Sequence, residues 1–151
     1  MSKIDTLHPL IREEVRQLVD KINTSVLTSN VKMVVTCGLR TFDEQNALYA
    51  QKPKVTNAKG GQSLHNYGFA FDFCLAVGGK TIWDVAKDFD GDKVPDWMEV
   101  VKVFKAAGYT WGGDFRSITD RPHFEKTFGH TWQQLLVIKQ AGKTENGYVI
   151  I

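Results

Sequence analysis

Four side chains in two short segments have the types and spacing to hold a metal and run acid–base chemistry. His65 and Asp72 lie in SLHNYGFAFD, residues 63–72, and Asp120 and His123 lie in DRPHFE, residues 120–125. Catalytic zinc takes three protein ligands from His, Asp and Glu and leaves a fourth position for water. His65 falls in a loop that enters a strand-like run, and Asp72 falls on that run, so loop and strand can bring the two to one point. Gly68 between them allows a turn or a close backbone approach. His123, in a second strand-like segment, is the candidate third ligand, and Asp120 is placed to act as general base on a water. Taken singly, a His or Asp is ordinarily a surface or capping group, and spacing alone leaves that alternative open. His8 and His130 precede helix starts and read as capping or solvated groups. Cys37 and Cys74 sit in apolar runs without CxxC spacing and read as free thiols. Cys74 is two residues beyond Asp72, an offset of about 6.6 Å along a strand, which suits packing better than a shared metal.

A second constellation is DFDGDKVPDWME, residues 88–99. Counted from Asp88, acids fall at positions 1, 3, 5, 9 and 12, namely Asp88, Asp90, Asp92, Asp96 and Glu99, which is the spacing of a calcium-binding loop. The match is incomplete, because Lys93 stands at position 6, where such loops place Gly. The alternative is a solvated acidic loop in front of a helix. Calcium there would order the entrance to that helix and act on activity through the neighbouring walls.

The elements that must position these groups follow from periodicity. Residues 9–27 carry Ile11, Val15, Leu18, Ile22 and Val26 at helical spacing. The β-branched run 31–37 reads as a buried strand. Thr41 and Glu44 form a capping box for a short helix to about residue 51, and Thr131 and Gln134 form another for a last helix ending at Gly142. Residues 52–63 read as a mobile polar loop. Residues 69–75 alternate, with Phe69, Phe71 and Phe73 toward a core and Ala70, Asp72 and Cys74 on the other face. A helix over 97–107, a strand into the Gly-rich turn of YTWGGDF, a short strand at 122–126, and a tail that adds an edge strand or packs as an arm complete the chain. With 151 residues, 42% hydrophobic, this is one α+β domain with a small, mostly antiparallel sheet. A balance of 19 basic and 17 acidic residues excludes polyanion binding as the main task, so no nucleic-acid partner is expected. No apolar run is long enough for stable membrane insertion, and the start MSKIDTLHPLIREEV lacks a signal-peptide core, which predicts synthesis in the cytoplasm without an export signal.

SLHNYGFAFD matches the SxHxxGxAxD motif of the zinc D-Ala-D-Ala-type peptidases, and PHFE with an acid three residues before its His resembles their second motif. GLRTFDEQNALYAQ, residues 38–51, is similar to the family's Arg-containing segment. DWMEVVKVFKAAGYTWGGDF, residues 96–115, resembles the L-alanyl-D-glutamate endopeptidase branch. The resemblance covers roughly residues 8–135. It implies a hedgehog/DD-peptidase-like fold and a monomeric enzyme that cuts bacterial peptidoglycan between L-Ala and D-Glu of the stem peptide. It also implies zinc on His65, Asp72 and His123, with Asp120 as base and Arg40 as the cation that stabilises the oxyanion. Ser63 and Gln45 fall at motif positions as substrate contacts, Ser63 alternatively orienting the His65 loop. For Arg40 the alternative is a structural ion pair with Asp43 or Glu44. The loop 52–62 and residues 111–116 are expected to shape the specificity pocket. The alternatives on this fold are a D-Ala-D-Ala dipeptidase or carboxypeptidase, and a catalytically silent wall-binding module. A phage lysin fits best: it needs no export signal, because it reaches the wall once the membrane is permeabilised, and 151 residues leave no room for a separate wall-binding domain.

Overall fold

Residues 1–28 and 30–151 are described by a computed structural model. The first helix, α1 (Pro9–Lys21), starts where Pro9 cannot offer an N–H and where His8 Nδ1 accepts the Leu10 N–H at 3.1 Å. Ile11 and Val15 are buried, and the expected helix 9–27 continues as one wider turn, Ile22–Val26, whose Ile22 is also buried. β1 (Val31–Cys37), α2 (Phe42–Tyr49), β2 (Ala70–Val77), α3 (Asp96–Ala106), β4 (Thr110–Trp111), β5 (His123–Glu125) and α4 (Trp132–Gln140) fall where periodicity places them, within a few residues. Both capping boxes form, with Thr41 and Glu44 bonding each other's backbone N–H, as do Thr131 and Gln134. The short strand β3 (Lys80–Ile82) is an addition. It returns along β2 through Gly78 and Gly79, both at positive φ, as a two-residue hairpin requires.

The main sheet is antiparallel, in the order β1-β2-β5-β4, with β3 paired to the outer part of β2. Side chains alternate between its faces. Val31, Met33, Phe71, Phe73, Leu75 and Phe124 join α1 and α3 in one core. Phe124 lies 4.9 Å from Phe104 and 5.3 Å from Phe73 between ring centroids, and Phe73 lies 4.3 Å from Trp97. Each such ring, fully buried, contributes about 1.5–3 kcal/mol, so this face anchors the strands that carry the site. A smaller cluster gathers Tyr67, Phe69, Leu135 and Val149 under α4. The tail does not extend the main sheet. It forms its own hairpin of β6 (Thr144–Glu145) and β7 (Tyr148–Val149), tied back by His8 Nε2–H to the Val149 carbonyl and Tyr148 Oη–H to the Thr6 carbonyl, each at 2.8 Å.

Candidate active site

Register brings the site together. Asp72 of β2 pairs with Cys37 of β1 on one side and with His123 of β5 on the other, so three side chains stand in a row across adjacent strands on one face. A bulge between Val35 and Cys37 sets this row. Val35 pairs with Phe73 in the core, and the extra residue Thr36 lets Cys37, rather than its neighbour, oppose Asp72. His65 arrives from the short helical turn Leu64–Tyr67, whose Ser63 oxygen accepts the His65 N–H at 3.3 Å. Gly68 ends that turn at φ 78, where a side chain would meet the His8 backbone.

The nitrogens that face Asp72 are identified by what the opposite nitrogens do. His65 Nδ1 lies 3.0 Å from the Gly38 carbonyl, which can only accept, so Nδ1 carries the proton and Nε2 is left with a lone pair. His123 Nε2 lies 2.8 Å from Glu125 Oε1, so by the same reasoning its Nδ1 holds the lone pair. His65 Nε2 and His123 Nδ1 stand 3.4 and 3.5 Å from Asp72 Oδ1, which is buried and has no hydrogen-bond donor. Two lone pairs and a carboxylate oxygen converging in a buried place repel one another unless a positive charge sits between them. Without a metal, a proton is the only available substitute. Burial opposes protonation of His65, but the Asp72 carboxylate and Cys37 beside it outweigh burial and push its pKa up to about 10. Burial likewise opposes and Asp72 and Glu125 raise that of His123, while burial would raise Asp72 but the two imidazoles hold it far below the usual carboxylate range. The donor set of two imidazoles and one carboxylate suits zinc, and each imidazole has the outer partner that orients a metal ligand.

Asp120 Oδ2 lies 3.9 Å from His123 Nδ1, and its side chain is half exposed to the adjoining cavity. Its carboxyl pKa is raised, by burial first and then by the charge of Asp72 against the pull of His123, His65 and Arg40. Its position depends on Gly112. The Asp120 N–H donates to the Gly112 carbonyl at 2.9 Å, and a Cβ at Gly112 would overlap the Asp120 carbonyl. Trp97 and Trp111 both donate their indole N–H to the Arg121 carbonyl, at 3.3 and 2.8 Å, which holds the residue after Asp120 from below.

Arg40 makes no pair with Asp43 or Glu44. Its guanidinium donates to Gln45 Oε1 at 2.9 Å and to Cys37 Sγ at 3.4 Å, and it lies 4.0 Å from Asp72 Oδ2. Gln45, expected at the substrate, is a correction. It is fully buried, with its oxygen on Arg40 and its nitrogen on the Ala58 carbonyl at 2.9 Å, so it positions Arg40 instead. Ser63 both orients His65 and lines the cavity. That cavity, about 300 Å³, is lined by Arg40, Leu48, Val55, Thr56, Ser63, His65, Asp72, Asp120 and His123. At Asp120 it meets two further depressions, about 480 Å³ bounded by Lys54–Asn57, Phe115 and Ile118, and about 280 Å³ bounded by Trp83, Trp97 and Arg121. The loop 52–62 therefore does form a wall, and of residues 111–116 Phe115 lines the adjoining depression, whereas Trp111 is buried in the core.

Sequence reasoning missed Glu125 and Cys37. Glu125 was discoverable, since a residue two along the strand from His123 shares its face. Cys37 weighs as the thiol of this site where Cys74 had been considered. Its Sγ stands 3.8 Å from His65 Nδ1, the nitrogen already committed to Gly38, and so flanks the imidazole on the side away from its free lone pair. Burial alone would raise its pKa, but His65 and Arg40 lower it. Only the bulge reveals this proximity. Both cysteines are free, and Cys74 is buried in the core.

Several known proteins resemble this chain. A family model described as D-alanyl-D-alanine carboxypeptidase, of the peptidase M15 group, matches residues 56–126. The chain is 41% identical over 125 residues to the peptidoglycan L-alanyl-D-glutamate endopeptidase CwlK of Bacillus subtilis (strain 168), covering 79% of this chain and 72% of that protein. It is 26% identical over 101 residues to the L-alanyl-D-glutamate peptidase of Listeria phage A118, covering 65% of this chain and 31% of that longer protein. The crystal structure of the Serratia marcescens L-Ala D-Glu endopeptidase ChiX superposes with a TM-score of 0.59 at 21% identity, over 83% of this chain and 84% of that one, which shows a common fold. The extent of the match to CwlK, together with the family motifs on adjoining strands, shows that the chain belongs to the M15 family of peptidases.

Proposed function

We propose that this protein is a zinc-dependent peptidoglycan endopeptidase that hydrolyses the L-Ala/D-Glu amide bond of the stem peptide. One observation carries the metal chemistry: the buried Asp72 Oδ1, without a donor, between the free lone pairs of His65 and His123. The bond specificity is supported by the names of CwlK and the phage enzyme, both L-alanyl-D-glutamate peptidases. His65 Nε2, His123 Nδ1 and Asp72 Oδ1 would hold the ion. When bound, zinc supplies a nucleophile at neutral pH and a Lewis acid for the scissile carbonyl.

The chain's own residues do the rest. The carboxylate of Asp120, whose pKa burial raises, accepts the proton of the attacking water and delivers it to the leaving amine. Arg40, clamped by Gln45, presents its guanidinium to the oxygen that gains negative charge, a contact worth about 3 kcal/mol in comparable sites. Lys54–Asn57 and Phe115 flank the groove in which a stem peptide would lie. No helix among the described residues is long and apolar enough to cross a membrane. The similarity to a phage peptidase supports a lytic role, with the enzyme acting on the wall as a monomer after permeabilisation.

The description of the matching family model favours one second reading, a D-alanyl-D-alanine carboxypeptidase built on the same metal site. Mass spectrometry of fragments released from purified peptidoglycan by apo and zinc-loaded protein separates the two. New N-terminal D-Glu on zinc-dependent fragments establishes the endopeptidase. Release of terminal D-Ala alone establishes the carboxypeptidase, and no release by folded, zinc-loaded protein leaves only a wall-binding module.

A further inference from the structure

The acidic loop ahead of α3 lies outside the peptidase site and has its own unmet requirement for positive charge. Asp88, Asp90, Asp92 and Asp96 place one carboxylate oxygen each within 4.8 Å of the others. Clustered surface acids alone need no ion, but Asp96, whose carboxylate belongs to this group, is fully buried, and its Oδ1 has no hydrogen-bond partner. Its other oxygen is occupied by the Phe89 N–H at 2.6 Å. Glu99, one turn further along α3, likewise buries an unpartnered Oε2. Isolating a carboxylate oxygen from both water and donors is costly unless a cation meets it.

We propose that Asp88, Asp90, Asp92, Asp96 and Glu99 form a calcium site that fixes the first turn of α3. Three carboxylates on the loop and two on the first turn of α3 provide the oxygen-only set that calcium takes, six to eight ligands in a flexible geometry, whereas magnesium demands a tight octahedron and keeps its waters. Lys93, the mismatch at the position where calcium loops place Gly, adopts φ 72, so the backbone turns there as a calcium loop does despite the side chain. The site bears on the peptidase centre mechanically. Trp97 follows Asp96 directly, and its indole N–H holds the Arg121 carbonyl between Asp120 and His123.

The test uses the full chain loaded with zinc, so that the catalytic site is already filled. Calcium is titrated by calorimetry, and terbium is titrated with emission sensitised through Trp97. One calcium per chain is expected, displacing terbium, with a rise in Tm of about 5–10 °C at about a hundredfold excess over Kd. Asp92→Asn and Glu99→Gln, which preserve shape and leave the peptidase residues untouched, should each weaken calcium at least about tenfold while the fold and zinc content stay unchanged. Absence of binding heat and of any Tm change up to about 10 mM calcium, above the weakest extracellular calcium sites, overturns the proposal. Unchanged calcium affinity in both folded variants overturns it equally.

Discussion

Glu125 decides which nitrogen of His123 is free, so replacing it tests the reading of the metal centre directly. In the native chain Glu125 Oε1 accepts from His123 Nε2 at 2.8 Å, fixing the proton there and leaving Nδ1 to face Asp72 at 3.5 Å. In Glu125→Ala the ring loses that anchor, and either nitrogen can carry the proton. Outer partners of this kind are typically worth about 10–100-fold in metal affinity, or about 1.4–2.7 kcal/mol. Glu125→Gln retains an acceptor but not the charge. Hydrogen bonds to ionised groups contribute roughly 1 kcal/mol more than neutral ones, so the Gln variant should fall between, about fivefold weaker than the native chain. Glu125 is partly exposed, so neither change should unfold the protein. The assay is competition for zinc against a chelating indicator, with circular dichroism and Tm as controls for folding. Zinc affinity within twofold of native in folded Glu125→Ala would refute the reasoning, because His123 would then not depend on Glu125 to present Nδ1.

Asp120→Asn should lower kcat by about 10²–10⁴-fold while zinc still binds, as judged by metal analysis beside peptidoglycan hydrolysis; loss of zinc along with activity would place Asp120 among the ligands instead. Arg40→Met should lower kcat by about 10²-fold with little change in zinc affinity, and an effect confined to KM would assign Arg40 to substrate binding rather than to the oxyanion. Gly112→Ala should displace the Asp120 backbone and cut hydrolysis while leaving the His65, Asp72 and His123 ligand set able to bind zinc; full activity would show that the loop yields at no functional cost. His8 gives a pH signature. Burial first, and the charge of Arg12 with it, lower its folded-state pKa below 6.5 against the pull of the Val149 carbonyl, and only the neutral ring can accept the Leu10 N–H. As pH falls below about 6.5 the unfolded chain takes up a proton that the folded chain resists, so this contribution to stability is present above that pH and declines below it. His8→Asn should be less stable at pH 7.5 yet lose less Tm between pH 7.5 and 5.5 than the native chain. Equal losses would refute the assignment.

Local pattern along the chain accounts for the elements and for the chemical types of the site. Apolar spacing set α1, α3 and the core strands, and the paired capping residues set the starts of α2 and α4, because these depend on local propensity and on period. The candidate ligands His65, Asp72 and His123, and an acid at 120, stand in the two motifs, where residue type and spacing single them out. What those groups do to one another depends on contacts between distant parts of the chain. The bulge at Thr36 put Cys37 beside His65, register put His123 next to Asp72, and the burial of Gln45 turned an expected substrate contact into the clamp on Arg40. The β3 hairpin and the separate β6–β7 hairpin were likewise hidden, since short strands carry too few residues to show a period and are stabilised by whichever strand lies beside them. Which nitrogen of each imidazole is free also depends on the distant carbonyl of Gly38 and on Glu125. Pairing across strands and exclusion of water are properties of residues far apart in the chain, so local pattern can name the participants in this site but not their geometry or their charge.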